Sequence, residues 1–214
     1  MVWSLYPASA ILHPQSDTQQ LFAAFTKFYE GQCRLDQQVT KKTLVPITLV
    51  TGGAKSGKSR FAEELVTATR RTRYYIATAQ VWDDEMQVKV DAHRDDRGGN
   101  WHTIEAPRDV AAALAQVPGD AVVLLDCATM WLTNCMLADA DMKAEAEVLL
   151  AALSACKAPV VVVTNELGWS IVPDNALARR FRDAQGRLNQ QLGAQADLVV
   201  AVISGLPLVL KGTL

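Results

Sequence analysis

Residues 52–59, Gly52-Gly53-Ala54-Lys55-Ser56-Gly57-Lys58-Ser59, satisfy G-x-x-x-x-G-K-[ST] at every fixed position and follow directly on the apolar run Ile47 to Val50. The pattern works by geometry. Glycines let backbone N–H groups turn inward around phosphate oxygens, and the helix that follows aims its positive N-terminus at the same anion. Lys58 then reaches the β- and γ-phosphates of a nucleotide, and the Ser59 hydroxyl is placed for Mg2+. Beyond the loop, Phe61, Ala62, Leu65 and Val66 recur at helical spacing, so strand, loop and helix come in the order the chemistry needs. The plainer alternative is a Gly-rich turn that only caps a helix.

From Pro46 onward strands and helices alternate. Short β-rich runs at Ile47 to Thr51, Tyr74 to Thr78, Ala121 to Leu125, Pro159 to Thr164 and Leu198 to Ile203 are separated by helical patterns. That alternation predicts an α/β fold with a mostly parallel sheet covered on both faces. Pro107 is expected in the first turn of a helix carrying Val110, Ala111 and Leu114. Two further stripes follow, Met142, Ala146, Leu149, Leu150 and Leu153, then Leu177, Phe181, Leu188 and Leu192. Leu206 to Leu210, after Ser204-Gly205, is expected to pair back on its predecessor as a hairpin strand.

Residues 1–45 form a separate N-terminal extension and 46–214 the main domain. In the extension Asp17 and Gln20 make a capping box, Leu21, Phe22, Phe25, Phe28 and Tyr29 one apolar stripe, and Gly31 a stop, which predicts a single amphipathic helix. It reads as a helix laid on a surface or as a partner-docking helix, and a true start near Val45 is a third reading.

With 214 residues, 50% of them hydrophobic, the chain fills one domain with an appendage. A net charge of -2 gives no basic surplus to hold a polyanion, so a small ligand is expected and nucleic acid is not. Cys33, Cys127, Cys135 and Cys156 lack C-x-x-C spacing and read as core thiols in a reducing cytosol. The apolar start has no Lys or Arg before Lys27 and is broken by Pro7, which argues against secretion. No run approaches the roughly 18 apolar residues of a membrane span. A cytoplasmic protein is expected.

A P-loop needs a second acidic group near its magnesium ion, at the end of an apolar strand expected beside the P-loop strand, and Val122-Val123-Leu124-Leu125-Asp126 supplies it. Asp126 is thus a metal or nucleotide contact, or a plain turn cap. Asp83-Asp84-Glu85-Met86 opens a helical stretch on which Met86, Val90 and His93 share one face, with Arg94 and Arg97 close by. His93 reads either as a hydrogen-bonded structural histidine or, flanked by guanidinium clamps for phosphate, as a nucleophile toward phosphorus. His13 and His102 lack such company. Glu105 ends Trp101 to Glu105 and either accepts hydrogen bonds from a base or ribose or is simply solvated. Val163-Thr164-Asn165-Glu166-Leu167-Gly168 ends a buried strand in polar residues, which is where ligands bind in a parallel sheet.

Together these stretches resemble the bifunctional adenosylcobinamide kinase/adenosylcobinamide-phosphate guanylyltransferase family of cobalamin biosynthesis. The matching segments are TGGAKSGKSRFAE at 51–63, YIATAQ with DDEM at 75–86, HRDDR at 93–97, W-x-T-x-E at 101–105, VTNELGWSIVP at 163–173 and RRFRDAQGRLNQQLGAQAD at 179–197. The resemblance runs from Ile47 to Lys211 and implies a P-loop, RecA-like core with a mixed sheet. It implies two activities: phosphorylation of the adenosylcobinamide aminopropanol hydroxyl by ATP or GTP, then GMP transfer from GTP through a guanylyl-histidine. By that resemblance the guanylylated residue is His93, Lys58 is catalytic, and the nucleotide contacts are Gly52 to Ser59, Ala77, Thr78, Ala79, Arg94, Asp95, Asp96, Arg97, Glu105 and Asp126. Mg2+ on Ser59 and Asp126 and a homo-oligomeric state complete the expectation. Gly98 stands where the family commonly has proline, and residues 1–45 match nothing in it. The competing readings are a plain P-loop small-molecule kinase with a structural His93 and a RecA-like nucleotide switch; a covalent-labelling test separates the first from the bifunctional enzyme.

Overall fold

Four apolar runs are buried along nearly their whole length, β1 (Ile47–Thr51), β4 (Val122–Asp126), β5 (Val160–Val163) and β6 (Leu198–Ile203). Continuous burial of this kind requires cover on both faces of a sheet. The computed structural model, which describes residues 43–80, 99–169 and 171–214, completes the sheet with β2 (Arg73–Ala77) and β3 (Trp101–Glu105) on one flank and β7 (Leu206–Lys211) on the other. The order is β3-β2-β4-β5-β1-β6-β7. Every pairing is parallel except the β6–β7 hairpin, so the sheet is mixed and mostly parallel.

The helices are α1 (Lys58–Ala68), α2 (Val110–Ala115), α3 (Ala128–Leu137), α4 (Met142–Ala155) and α5 (Ala176–Gln195). The period of two along the strands splits their side chains between two cores. Leu49, Ile76, Val123, Leu125 and Val162 pack with Leu114, Trp131, Leu149, Leu188 and Leu192 from α2 to α5. Val50, Tyr75, Val122, Leu124, Val161 and Val163 face the other way onto Ala62, Leu65 and Val66 of α1. Each large apolar side chain so buried stabilises the fold by about 1.5–3 kcal/mol. Among the described residues, α1 is therefore the helix that covers this face, joined at the sheet edge by Cys127 and Met130 from the start of α3, and the P-loop leads directly into it.

Three expectations need correction. The strand ending in Asp126 is not beside the P-loop strand, because β5 lies between β4 and β1. Strand order depends on which runs are apolar on both sides and on long-range pairing, neither of which periodicity encodes. Pro107 lies ahead of α2 rather than in its first turn, since Asp109 is the N-cap and its Oδ1 accepts from the Ala112 N–H at 3.0 Å. Leu177, expected in the α5 stripe, is 55% exposed at the helix's first turn. The remaining strand ends agree to within a residue or two, and α3 emerges without a sequence stripe because Ala128, Thr129, Trp131, Leu132, Asn134 and Cys135 bury several of its sides at once. The expected helix at 17–31, Cys33, and the stretch carrying His93, Arg94, Asp95, Asp96 and Arg97 lie outside the described residues.

Candidate nucleotide site

Parallel register sets the strand ends in one row. Glu105 pairs with Ala77, Ala77 with Asp126, Asp126 with Val163, and Val163 with Val50. The P-loop leaves β1 just past that row. Glu105, Ala77, Asp126 and residues 52–59, far apart in sequence, thus share the carboxyl edge of the sheet, where ligands of open α/β sheets bind.

Close approach explains the first loop glycine. A Cβ on Gly52 would stand 2.5 Å from the Val202 carbonyl oxygen and 2.6 Å from Ser56 Oγ. Gly57 has φ 93°, a left-handed conformation that side chains resist, and from there it starts α1. The loop is pinned from both neighbouring strands: the Glu166 N–H donates to the Gly52 carbonyl at 3.0 Å, and the Gly205 N–H of the hairpin turn donates to the Ser56 carbonyl at 2.9 Å. Ala54 and Lys55 form the exposed tip and Ser59 is half-buried.

Among the described residues, four of the five helices carry a side-chain N-cap, from Asp109, Cys127, Asp141 and Asn175. α1 has none, and no acidic residue in its first turn. Its leading N–H groups and the positive end of its dipole are therefore left for an external anion. Lys58, the first residue of α1, is buried, with Nζ donating to the Gly53 carbonyl at 3.1 Å across the loop. Burial pushes its pKa down, while the neighbouring Cys127 and Asp126 act to raise it. Burial, reinforced by Asp126, pushes the Cys127 thiol up to about 11, so near neutral pH it is a protonated structural group rather than a nucleophile.

Behind the edge lies a polar scaffold that sequence reasoning missed. The Thr78 hydroxyl donates to the Cys127 carbonyl and accepts from the Cys127 N–H, both at 2.8 Å, which clamps the ends of β2 and β4 together. Asn134 Nδ2 donates to the carbonyls of Thr78 and Pro107, again both at 2.8 Å. Thr78, expected as a nucleotide contact, thus commits its hydroxyl and its carbonyl to the protein; Ala77 and Ala79 beside it are partly exposed. Next to the P-loop, Thr129, Thr164, Gln185 and Asn189 bond in series. The available signal was phase: Gln185 and Asn189 sit one turn apart, in step with Phe181, Leu188 and Leu192, where a polar side chain must find partners.

His102 is separate from all this. It pairs with Tyr74 in the β2–β3 ladder, three residues before Glu105, and its ring stacks on Tyr74 at 5.0 Å between centroids. Among the described residues no three His, Cys, Asp or Glu side chains converge as a metal cage. No helix among them is long and apolar enough to cross a membrane.

Residues 48–210 match the family model described as cobinamide kinase / cobinamide phosphate guanyltransferase. The bifunctional adenosylcobalamin biosynthesis protein CobU of Salmonella typhimurium is 42% identical over 179 residues, a match covering 76% of this chain and 98% of that one. CobP of Pseudomonas aeruginosa, with the same description, is 40% identical over 77% of this chain and 96% of its own length. Among solved structures, the flagellar accessory protein FlaH of Methanocaldococcus jannaschii superposes with a TM-score of 0.51 at 12% identity, covering 84% of each chain. That last likeness concerns the fold alone.

Proposed function

This chain belongs to the cobinamide kinase / cobinamide phosphate guanyltransferase family of adenosylcobalamin biosynthesis, and from that membership we propose that both of its reactions run at the carboxyl edge of the sheet, on a nucleotide held by the P-loop. One observation carries this reading: among the described helices α1 is the one without a side-chain cap, and its N-terminus continues the Gly52–Gly57 loop, with Asp126 close enough to act on the charge of Lys58.

In this reading the backbone N–H groups of residues 53–59 hold the β- and γ-phosphates of ATP or GTP. Lys58 turns from the Gly53 carbonyl onto the phosphates, and its dry surroundings make that contact stronger than it would be in water. Ala77, Ala79 and Glu105, further along the edge, flank the nucleoside, while the Thr78 and Asn134 bonds hold that wall in place. The Ser56 hydroxyl, buried and without a hydrogen-bond partner among the described residues, is suited to a phosphate oxygen or its water.

Mg2+ fits this donor set. It prefers a few oxygen ligands supplemented by phosphates and water, and a hydroxyl plus one carboxylate, Ser59 and Asp126, is such a set. When bound, the ion neutralises charge on the phosphates.

The second reaction is assigned to His93, with Arg94 and Arg97 binding phosphate oxygens and Asp95 and Asp96 beside them. A neutral imidazole attacks the α-phosphorus of GTP, pyrophosphate leaves, and cobinamide phosphate then takes the GMP. Support comes from the family's two reactions and from the HRDDR segment at 93–97. Residues 46–214 are the catalytic domain in this reading and 1–45 an extension. The protein works in the cytoplasm as a homo-oligomer, a state favoured by the exposed Leu206, Leu208 and Leu210 on the edge strand β7.

Incubation with α-labelled GTP tests the reading. It expects an acid-labile, base-stable label on the protein that is discharged by cobinamide phosphate; turnover of both substrates with no labelled protein at any time would refute the covalent route.

A further inference from the structure

We propose that Glu166 receives the hydroxyl proton in the kinase reaction and serves that step alone. The inference rests on the nucleotide lying on the P-loop as argued above. Glu166 follows β5, the strand between the P-loop strand and the strand of Asp126. Its backbone N–H holds the Gly52 carbonyl at 3.0 Å, so its place is tied to the first residue of the loop. Its side chain is held as firmly. Oε1 accepts from Thr51 Oγ1 at 3.1 Å and from Asn189 Nδ2 at 2.9 Å. Asn189 is itself fixed, because its Oδ1 accepts from Gln185 Nε2 and Thr164 Oγ1, both at 2.8 Å. Gln185 is fully buried. Among the described residues Oε2 accepts no hydrogen bond, and the residue is only half-buried. One carboxylate oxygen is thus anchored through a chain of side chains to the core, and the other is left at the edge where an acceptor must meet the γ-phosphate.

The chemistry of the two acceptors says which reaction needs this group. In the kinase step an alcohol attacks. Its oxygen bonds to the γ-phosphorus, the bond to the β–γ bridging oxygen breaks with its electron pair going to the nucleoside diphosphate, and the alcohol proton passes to Glu166 Oε2, which later releases it to water. In guanylyl transfer the acceptor is a phosphate monoester. Its second pKa is about 6, so near neutrality the attacking oxygen already lacks a proton and no base is required.

Glu166→Gln separates this role from that of a strut. The glutamine carbonyl can keep both hydrogen bonds made to Oε1, while an amide replaces the basic oxygen. With full-length protein, cobinamide phosphorylation and GMP transfer to pre-formed cobinamide phosphate are measured separately. E166Q should lower kcat for phosphorylation by about 100-fold, with the KM for nucleotide and the rate of GMP transfer each within about threefold of wild type. Equal loss of both activities would mean that Glu166 serves the nucleotide or the fold, and retention of both would mean that it serves neither; either result overturns the proposal. Should E166Q fold poorly, Glu166→Asp carries the same test, because the shortened carboxylate should also lose phosphorylation selectively. A wild-type protein lacking one activity would instead refute the underlying functional reading.

Discussion

Asn134 of α3 donates its side-chain amide to the Thr78 carbonyl at 2.8 Å, joining a helix on one face of the sheet to the end of β2. The same nitrogen reaches the Pro107 carbonyl at 2.8 Å, so one 3%-exposed side chain ties down the segments that follow both β2 and β3. Asn134→Leu would strip both carbonyls of this donor and cost about 2–3 kcal/mol, lowering Tm by about 5–10 °C in a domain of this size. The KM for nucleotide should rise with it. Thermal melts and initial rates check this, and an unchanged Tm would show that the two carbonyls find other donors.

Lys58→Ala should abolish phosphorylation, a loss of at least about 100-fold in kcat/KM, and severely weaken guanylylation, because in the proposed reading the P-loop holds the donor's phosphates in both reactions. Its stability should not fall. Burial is the largest influence on Lys58 and disfavours its charge, so removing the ammonium relieves a cost of folding. Wild-type kinetics with Mg-GTP in this variant would contradict the expected role of the loop.

His93→Ala should lose GMP transfer while retaining measurable phosphorylation of cobinamide, because in the proposed mechanism the two reactions use different nucleophiles. Guanylylation should also decline as pH falls below the imidazole pKa, since only neutral imidazole has a lone pair to attack with. His102→Ala is the matched control, its ring being occupied in a stack with Tyr74. Intact-mass measurement after incubation with Mg-GTP decides the matter: a GMP adduct on His93→Ala, or one mapped to His102 in wild type, would reassign the nucleophile.

Cys127 and Cys135 give the stability a dependence on alkaline pH. Both thiols are pushed up from 9.0 to about 11, chiefly by burial. The unfolded chain therefore sheds these protons first as pH rises. The stabilisation is complete below about pH 9 and is lost as pH approaches the folded-state value, at up to about 1.4 kcal/mol per pH unit for each thiol. Urea midpoints at pH 8.5 and 10.5 should converge in Cys135→Ala relative to wild type. An identical pH dependence in the two proteins would show that this thiol does not contribute.

Much of the candidate site was legible because local rules act over a few residues. The P-loop declares itself by its fixed glycines, Gly52 at a close approach and Gly57 in a left-handed conformation, Asp126 by its place at the end of an apolar strand, and the alternation of runs by its period. Glu166 stood in a visibly polar strand end, yet nothing local indicated that Thr51 and Asn189 hold one of its oxygens. The buried Thr164, Gln185 and Asn189 were hidden for the same reason: a polar residue in an apolar stripe announces that it needs a partner without saying which.

The sequence by itself determined the α/β class, the P-loop motif with its strand and helix, and the family, since each is carried by covalent neighbours or by the spacing of a motif. Tertiary structure alone decided that β5 enters between the strands of the P-loop and Asp126, that Glu105, Ala77 and Asp126 fall in one register row, and that Asn134 and Asn189 hold the loops around them. These depend on contacts between residues up to more than a hundred positions apart. Such contacts form only when burial of the whole apolar surface offsets the entropy of closing the chain, and no short window of sequence contains that balance.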